Sequence, residues 1–323
     1  MYTDALCQQL GLGALTQPPR QLAGGLTHRM VEAVTTTGRY AVKWLNPHIM
    51  RRPDAHHNFR KAEELERKLE QTGLAILPAL TIGGRKMQEI NGQYAYVFPY
   101  FDGVALTAAP ITPQHCEQVG KLLAGIHGVD RQEGVPSRSP LSIDWDALIR
   151  QSADTPAVHR LLVANREMLG EMQERANKAL PHLPAEIAIC HNDMDPKNVL
   201  WQDGVCRAID LECLGYDSPD LELLETALCW AGYESGEVDH TRLTAFLQGY
   251  VVAGDILPTD WETLYDSNAG RLEWLAYNLR RALGEEGEDA KSLGMAEVEK
   301  TLVCIAGYQR MRNDLLSTLK SIQ

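Results

Sequence analysis

Three polar residues in the middle of the chain have the types and spacing of a phosphoryl-transfer site. Asp193, Asn198 and Asp210 lie five and twelve residues apart, within His191-Asn192-Asp193-Met194-Asp195-Pro196-Lys197-Asn198 and Ala208-Ile209-Asp210-Leu211-Glu212. Moving a phosphoryl group asks for in-line positioning, neutralised phosphate charge and a group that takes the nucleophile's proton. Asp193 is the candidate base. The Asn198 amide oxygen and the Asp210 carboxylate are hard oxygen donors, the kind Mg2+ takes alongside the phosphates of ATP. Each polar pair alone reads as ordinary surface polarity. Apolar segments between them argue for a built site.

Those segments are Ile187-Ala188-Ile189 before the loop, then Val199-Leu200-Trp201 and Val205-Cys206-Arg207-Ala208-Ile209 around the turn Gln202-Asp203-Gly204. They predict strand, loop, strand, turn, strand, with Asp210 at a strand tip beside the loop. His-Asn-Asp-x-x-x-x-Asn followed by Ile-Asp-x-Glu resembles the aminoglycoside phosphotransferase and choline kinase superfamily, closest to its choline/ethanolamine kinase branch. The resemblance implies a bilobal protein-kinase-like α+β fold. A small N-terminal antiparallel-sheet lobe would precede a larger, mostly helical C-terminal lobe. It also implies that His191 supports the loop from behind rather than reacting.

A site of this kind needs a phosphate cover and a cation on the nucleotide. Gly24-Gly25-Leu26-Thr27-His28 lies between two candidate strands. Its glycines would bring backbone N–H groups close to phosphate oxygens, with Thr27 adding a hydroxyl; the plain alternative is a hairpin turn. The family branch has asparagine where this chain has His28, a departure in the side-chain contact only. Lys43 interrupts the apolar run Ala41-Val42-Lys43-Trp44-Leu45. A lysine there resembles the kinase lysine on the nucleotide phosphates, against the alternative of an edge-strand charge. The helix over 58–69 turns Phe59, Ala62, Leu65 and Leu69 to one face. The resemblance points to Glu63 as the partner of Lys43, with Glu64, Glu66 and Glu70 competing, most of them solvated.

Tyr94-Ala95-Tyr96-Val97-Phe98 runs into Pro99-Tyr100-Phe101-Asp102-Gly103. The resemblance makes this the inter-lobe hinge, with Pro99 and Phe101 near the adenine. The expected division is 1–98 as the nucleotide lobe, 99–103 as hinge and 104–323 as the helical lobe. Helices are expected over 113–128, 156–180, 220–232, 241–253, 260–283 and 295–319.

At 323 residues and 44% hydrophobic content the chain can build two cores. No apolar run approaches the ~20 residues of a membrane span, and residues 1–10 read as no secretory signal. Seven dispersed cysteines without a Cys-x-x-Cys pair fit a reducing cytoplasm rather than a disulfide framework or zinc site. A formal charge of −12 disfavours nucleic acid as partner. A homodimer stays open.

The acceptor is less legible. Glu212 lies beside the expected metal position. Trp230 and Tyr233, with Trp274 further on, are aromatic candidates for holding a quaternary ammonium by cation–π attraction; aromatics at helical spacing also suit a core. Lys197, directly before Asn198, reads either as a γ-phosphate contact or as solvated. The expectation is an ATP-dependent kinase acting on the hydroxyl of a choline- or ethanolamine-like amino alcohol. The alternatives are an aminoglycoside or other hydroxylated metabolite as acceptor, and a non-catalytic nucleotide-binding scaffold. The scaffold predicts loss of a key group, and Lys43, Asp193, Asn198 and Asp210 are all present. A protein kinase is disfavoured because no Asp-Phe-Gly follows the loop.

Overall fold

The computed structural model describes residues 2–22, 28–106, 110–136 and 138–322. In chain order the first elements are α1 (Tyr2–Gln9), β1 (Arg20–Gln21), β2 (Arg29–Val34), β3 (Arg39–Trp44), α2 (Pro47–Met50), α3 (Ala55–Glu70), β4 (Gln88–Ile90), β5 (Gln93–Pro99) and β6 (Val104–Ala105). Next come α4 (Pro113–His127), β7 (Arg131–Glu133), α5 (Trp145–Gln151), α6 (Pro156–Ala179), β8 (Glu186–Cys190), β9 (Val199–Gln202), β10 (Val205–Ala208) and β11 (Gly215–Asp217). The rest is helical: α7 (Pro219–Trp230), α8 (His240–Val252), α9 (Trp261–Ser267), α10 (Gly270–Ala282) and α11 (Glu288–Ile322).

These elements form two compact units, Met1–Pro110 with Ile189–Gly215, and Ile111–Ala188 with Tyr216–Gln323. The segment 189–215 thus groups with the N-terminal sheet.

The first unit is built on an antiparallel five-stranded sheet in the order β1-β2-β3-β5-β4. Alternation along β3 decides its two faces. Val42 and Trp44 join Val31, Ala33, Ala95 and Val97 in a core that also takes Leu6 and Cys7 of α1. Lys43, between them, points the other way, beside its cross-strand partner Tyr96. That second face packs Leu45, Met50, Phe59, Ala79 and Tyr96 together. Phe59, Ala62, Leu65 and Leu69 of α3 are buried as their spacing predicts. Glu63 and Glu66 are buried on the same helix face, whereas Glu64 and Glu70 are exposed.

β9 and β10 form the expected hairpin, with Asp203 and Gly204 both at positive φ (50° and 78°), the geometry of a type I′ turn. β6 adds to its other edge, pairing Val104 with Trp201. Ala208 N–H donates to Ala75 O, and Leu77 N–H donates to Ala208 O, both at 2.9 Å. These bonds fix the exit of β10 just before Asp210.

In the second unit α4 and α8 approach closely because each presents a glycine. A Cβ on Gly120 would lie 2.1 Å from Phe246 O, and one on Gly249 would lie 2.1 Å from Glu117 O. Tyr265 and Tyr308 stack at 4.0 Å between α9 and α11, each hydroxyl donating to the other's backbone carbonyl. The helix expected over 260–283 breaks into α9 and α10 near Asn268, and α11 begins earlier than expected. Among the described residues no helix is long and apolar enough to cross a membrane, and no disulfide forms.

Candidate active site

Lys43, Asp193, Asn198, Asp210 and Glu212 all belong to the first unit. The loop that carries Asp193 is held from beneath by His191, which is fully buried. Asp193 N–H donates to His191 Nδ1 at 3.3 Å, so the ring proton sits on Nε2, which donates to Ile209 O at 3.0 Å. Ile209 N–H in turn donates to Asn198 O at 2.9 Å. One residue therefore ties the base loop to the strand exit that delivers Asp210, the supporting role the resemblance implies. Two non-glycine residues here adopt left-handed backbone, Asn192 (φ 63°) and Asp210 (φ 64°). Asn and Asp tolerate that region better than other side chains. Asn192 gains a bond from Nδ2 to Cys213 O at 2.9 Å.

Asn198 spends Nδ2 on Asp193, donating to its backbone O and its Oδ2, each at 2.8 Å. That fixes the amide flip and turns Oδ1 away from Asp193 as a hard oxygen donor. The other Asp193 oxygen, Oδ1, accepts from Lys197 Nζ at 3.2 Å, and Lys197 also pairs with Asp195. Burial is the largest influence on the Asp193 carboxyl and holds it above the usual carboxylate range; the Lys197 cation opposes this without cancelling it. A proton acceptor gains from such a rise, because the carboxylate becomes a better base.

Lys43 Nζ lies 2.5 Å from both Asp210 Oδ1 and Glu212 Oε2. Burial alone would lower its pKa, but the two carboxylates outweigh burial and raise it, so the ammonium is retained. Glu212 is occupied on both oxygens: Oε2 by Lys43, and Oε1 by His28 Nε2 at 3.1 Å. Burial pushes the Glu212 carboxyl up, but His28 and Lys43 together bring it below the usual range.

Glu63 has other partners. It accepts from Met87 N–H and Tyr96 O–H, each at 3.0 Å, and from Arg67 at 3.3 Å. The expected pairing of Glu63 with Lys43 is thus replaced by Glu212 and Asp210. The helix face carrying Glu63 abuts the 86–87 segment, whose backbone needs an acceptor. Lys86, which the sequence did not single out, and Glu66, one of the competing glutamates, form a second buried ion pair on this face. Lys86 is fully buried and donates to Glu66 at 3.1 Å, Glu70 at 2.9 Å and Ala79 O at 2.8 Å. A lysine beside the Gly83-Gly84-Arg85 turn gave no local signal of burial.

At the expected hinge, Pro99 is exposed at the end of β5 and Phe101 lies under the Arg207 guanidinium at 5.5 Å. Gly24, Gly25, Leu26 and Thr27 lie outside the described residues. The aromatic acceptor candidates belong to the second unit, and two of them serve its packing. Trp230 is fully buried, and Tyr233 is buried with its ring under Arg271 at 4.4 Å. Trp274 faces outward, bonded to Glu297 at 3.4 Å and tilted against Tyr277. Trp230 and Tyr233 leave no open face for a cation, because helical spacing served the core here. Glu212, expected at the acceptor, is instead committed to Lys43 and His28.

The donor set suits Mg2+. Asn198 Oδ1 and Asp210 are hard oxygens from adjoining backbone segments, and Asp210 is part-exposed beside the Lys43 ammonium.

The model of the phosphotransferase enzyme family matches residues 19–264. The chain belongs to this family. Among curated relatives, a homoserine kinase of Methylobacterium sp. (strain 4-46) is 27% identical over 206 residues, covering 61% of this chain and 60% of that protein. Six further relatives at 24–28% identity carry the same name. Among solved structures, spectinomycin phosphotransferase in complex with ADP and spectinomycin aligns with a TM-score of 0.71 at 15% identity, covering 94% of this chain and 96% of that one. A choline/ethanolamine kinase family protein from Mesorhizobium loti aligns with a TM-score of 0.56 at 18% identity, covering 94% and 99%. These likenesses establish the α+β kinase-like fold.

Proposed function

We propose that the protein transfers the γ-phosphate of ATP to the hydroxyl of a small amino alcohol. One observation carries the reading: a base held by Asn198 adjoins a strand exit where Asp210 meets a buried lysine, all within one compact unit. Asp193 accepts the proton as the acceptor O–H bond breaks. The new bond forms between that oxygen and the γ-phosphorus, the bond from γ-phosphorus to the bridging oxygen breaks, and ADP leaves. Lys43 supplies positive charge to the nucleotide phosphates. Asn198 and Asp210 would hold magnesium, which when bound neutralises phosphate charge. His191 keeps base and strand exit in register.

Homoserine is the first acceptor to test. Of the aromatic faces behind the choline-like expectation, packing consumes Trp230 and Tyr233, while seven relatives named homoserine kinase share sequence with this chain. Homoserine, ethanolamine and choline all offer a primary hydroxyl near a cationic nitrogen, so the acceptor class is retained and the cage is not. The test is ADP release from Mg-ATP over homoserine, ethanolamine, choline, spectinomycin and an aminoglycoside. Release with homoserine well above the water background supports the reading. Release only with spectinomycin or the aminoglycoside replaces the acceptor class, and no release with any acceptor argues for a nucleotide-binding scaffold.

A further inference from the structure

His28 is almost fully buried between two groups with opposite demands. Asn46 N–H donates to its Nδ1 at 2.9 Å, at the N-terminus of α2. A nitrogen that accepts carries no proton, so the ring proton stands on Nε2, aimed at Glu212 Oε1 at 3.1 Å. The remaining Glu212 oxygen holds Lys43 at 2.5 Å. A line of hydrogen bonds thus runs from the Asn46 backbone through His28 and Glu212 to the Lys43 ammonium. Without His28, Glu212 would keep its charge but lose the bond that fixes its rotation. The chain needs such a brace because Glu63 is committed to Met87, Tyr96 and Arg67.

We propose that His28 is a positioning residue that locks Glu212 against Lys43 and so presents the lysine to the nucleotide phosphates. The proposal rests on the reading of Lys43 as the phosphate cation. It assigns to the pair His28–Glu212 the anchoring of Lys43 that the sequence suggested for Glu63.

The two ring nitrogens can be separated by substitution. The amide of asparagine falls near Nδ1 and can serve Asn46, whereas the longer glutamine places its amide near Nε2 and can serve Glu212. The measurement is the dissociation constant of Mg-AMP-PNP by titration calorimetry, which needs no acceptor. A hydrogen bond to a charged group is worth enough that His28→Asn and His28→Leu should weaken binding by roughly tenfold. His28→Gln should stay within about threefold of wild type. On a Glu212→Ala background His28→Asn should add nothing, because it acts through Glu212. Wild-type binding by His28→Asn, loss in His28→Gln alone, or an undiminished effect on the Glu212→Ala background would each overturn the proposal. If His28→Leu fails to fold, the two polar variants still decide. Lys43→Met is the control for the underlying reading. Wild-type binding there sinks the role of Lys43 itself, whereas loss there with binding kept in every His28 variant sinks only the role of His28.

Discussion

Asp193 accepts from Asn198 on one oxygen and from Lys197 on the other, yet burial keeps its carboxyl above the ordinary range. Two predictions follow from that balance. Because the fold raises this pKa, it favours the protonated form. Asp193 therefore adds stability below its unfolded pKa, and that stability is lost as pH rises through the folded value. At neutral pH the charge is a cost, so Asp193→Asn should melt at or above the wild-type temperature while turnover falls by about 10²–10⁴. A marked drop in melting temperature would contradict the sign. Lys197 favours the carboxylate, so Lys197→Met should raise the Asp193 pKa further. The acid limb of the kcat/KM profile should then move to higher pH; an unmoved limb would leave Lys197 uncoupled from the base. Asp193, Asn198 and Asp210 were legible because their types and spacing already state a chemistry. His28 was visible only as a departure from its family's asparagine, since its partners lie 18 and 184 residues away.

At the scale of elements, α3 separates what periodicity can and cannot tell. Its apolar spacing predicted the buried face of Phe59, Ala62, Leu65 and Leu69. It could not tell that Glu63 and Glu66 share that face, because a glutamate reads as solvated until its partner is known. The partners stand on the 79–96 segment: Lys86 and Ala79 N–H for Glu66, Met87 N–H and Tyr96 for Glu63. Removing one member of a buried pair strands the other, so Lys86→Met should destabilise the fold by about 3 kcal/mol in urea titration. A change within error would mean Glu66 is readily rehydrated. The crossing of α4 and α8 is set by contact rather than by charge. A methyl at Gly120 meets the Phe246 carbonyl at 2.1 Å, and backbone cannot swing aside as a flexible side chain can. Gly120→Ala should cost about 1–3 kcal/mol through overpacking.

Across the whole molecule, the kinase-like α+β fold was legible, but the grouping of residues 189–215 with the N-terminal sheet was not. The sequence runs sheet, hinge, helices. Yet the segment 189–215 returns to the first unit, because Ala208 pairs with the 75–77 backbone and Lys43 bonds Asp210 and Glu212. No local pattern announces a return over more than 130 residues. The same limit explains the aromatics: three- and four-residue spacing marks a helix face without saying what covers it, and packing covers Trp230 and Tyr233. The proposed reaction joins a hydroxyl acceptor to a phosphoryl donor. Phosphorus NMR of the enzyme with Mg-ATP and homoserine tests that pairing most directly. A new phosphate monoester resonance on homoserine should grow in step with ADP, and both should grow at least about a hundredfold more slowly with Asp193→Asn. ATP that is bound but unchanged, or converted only to ADP and inorganic phosphate, would contradict it.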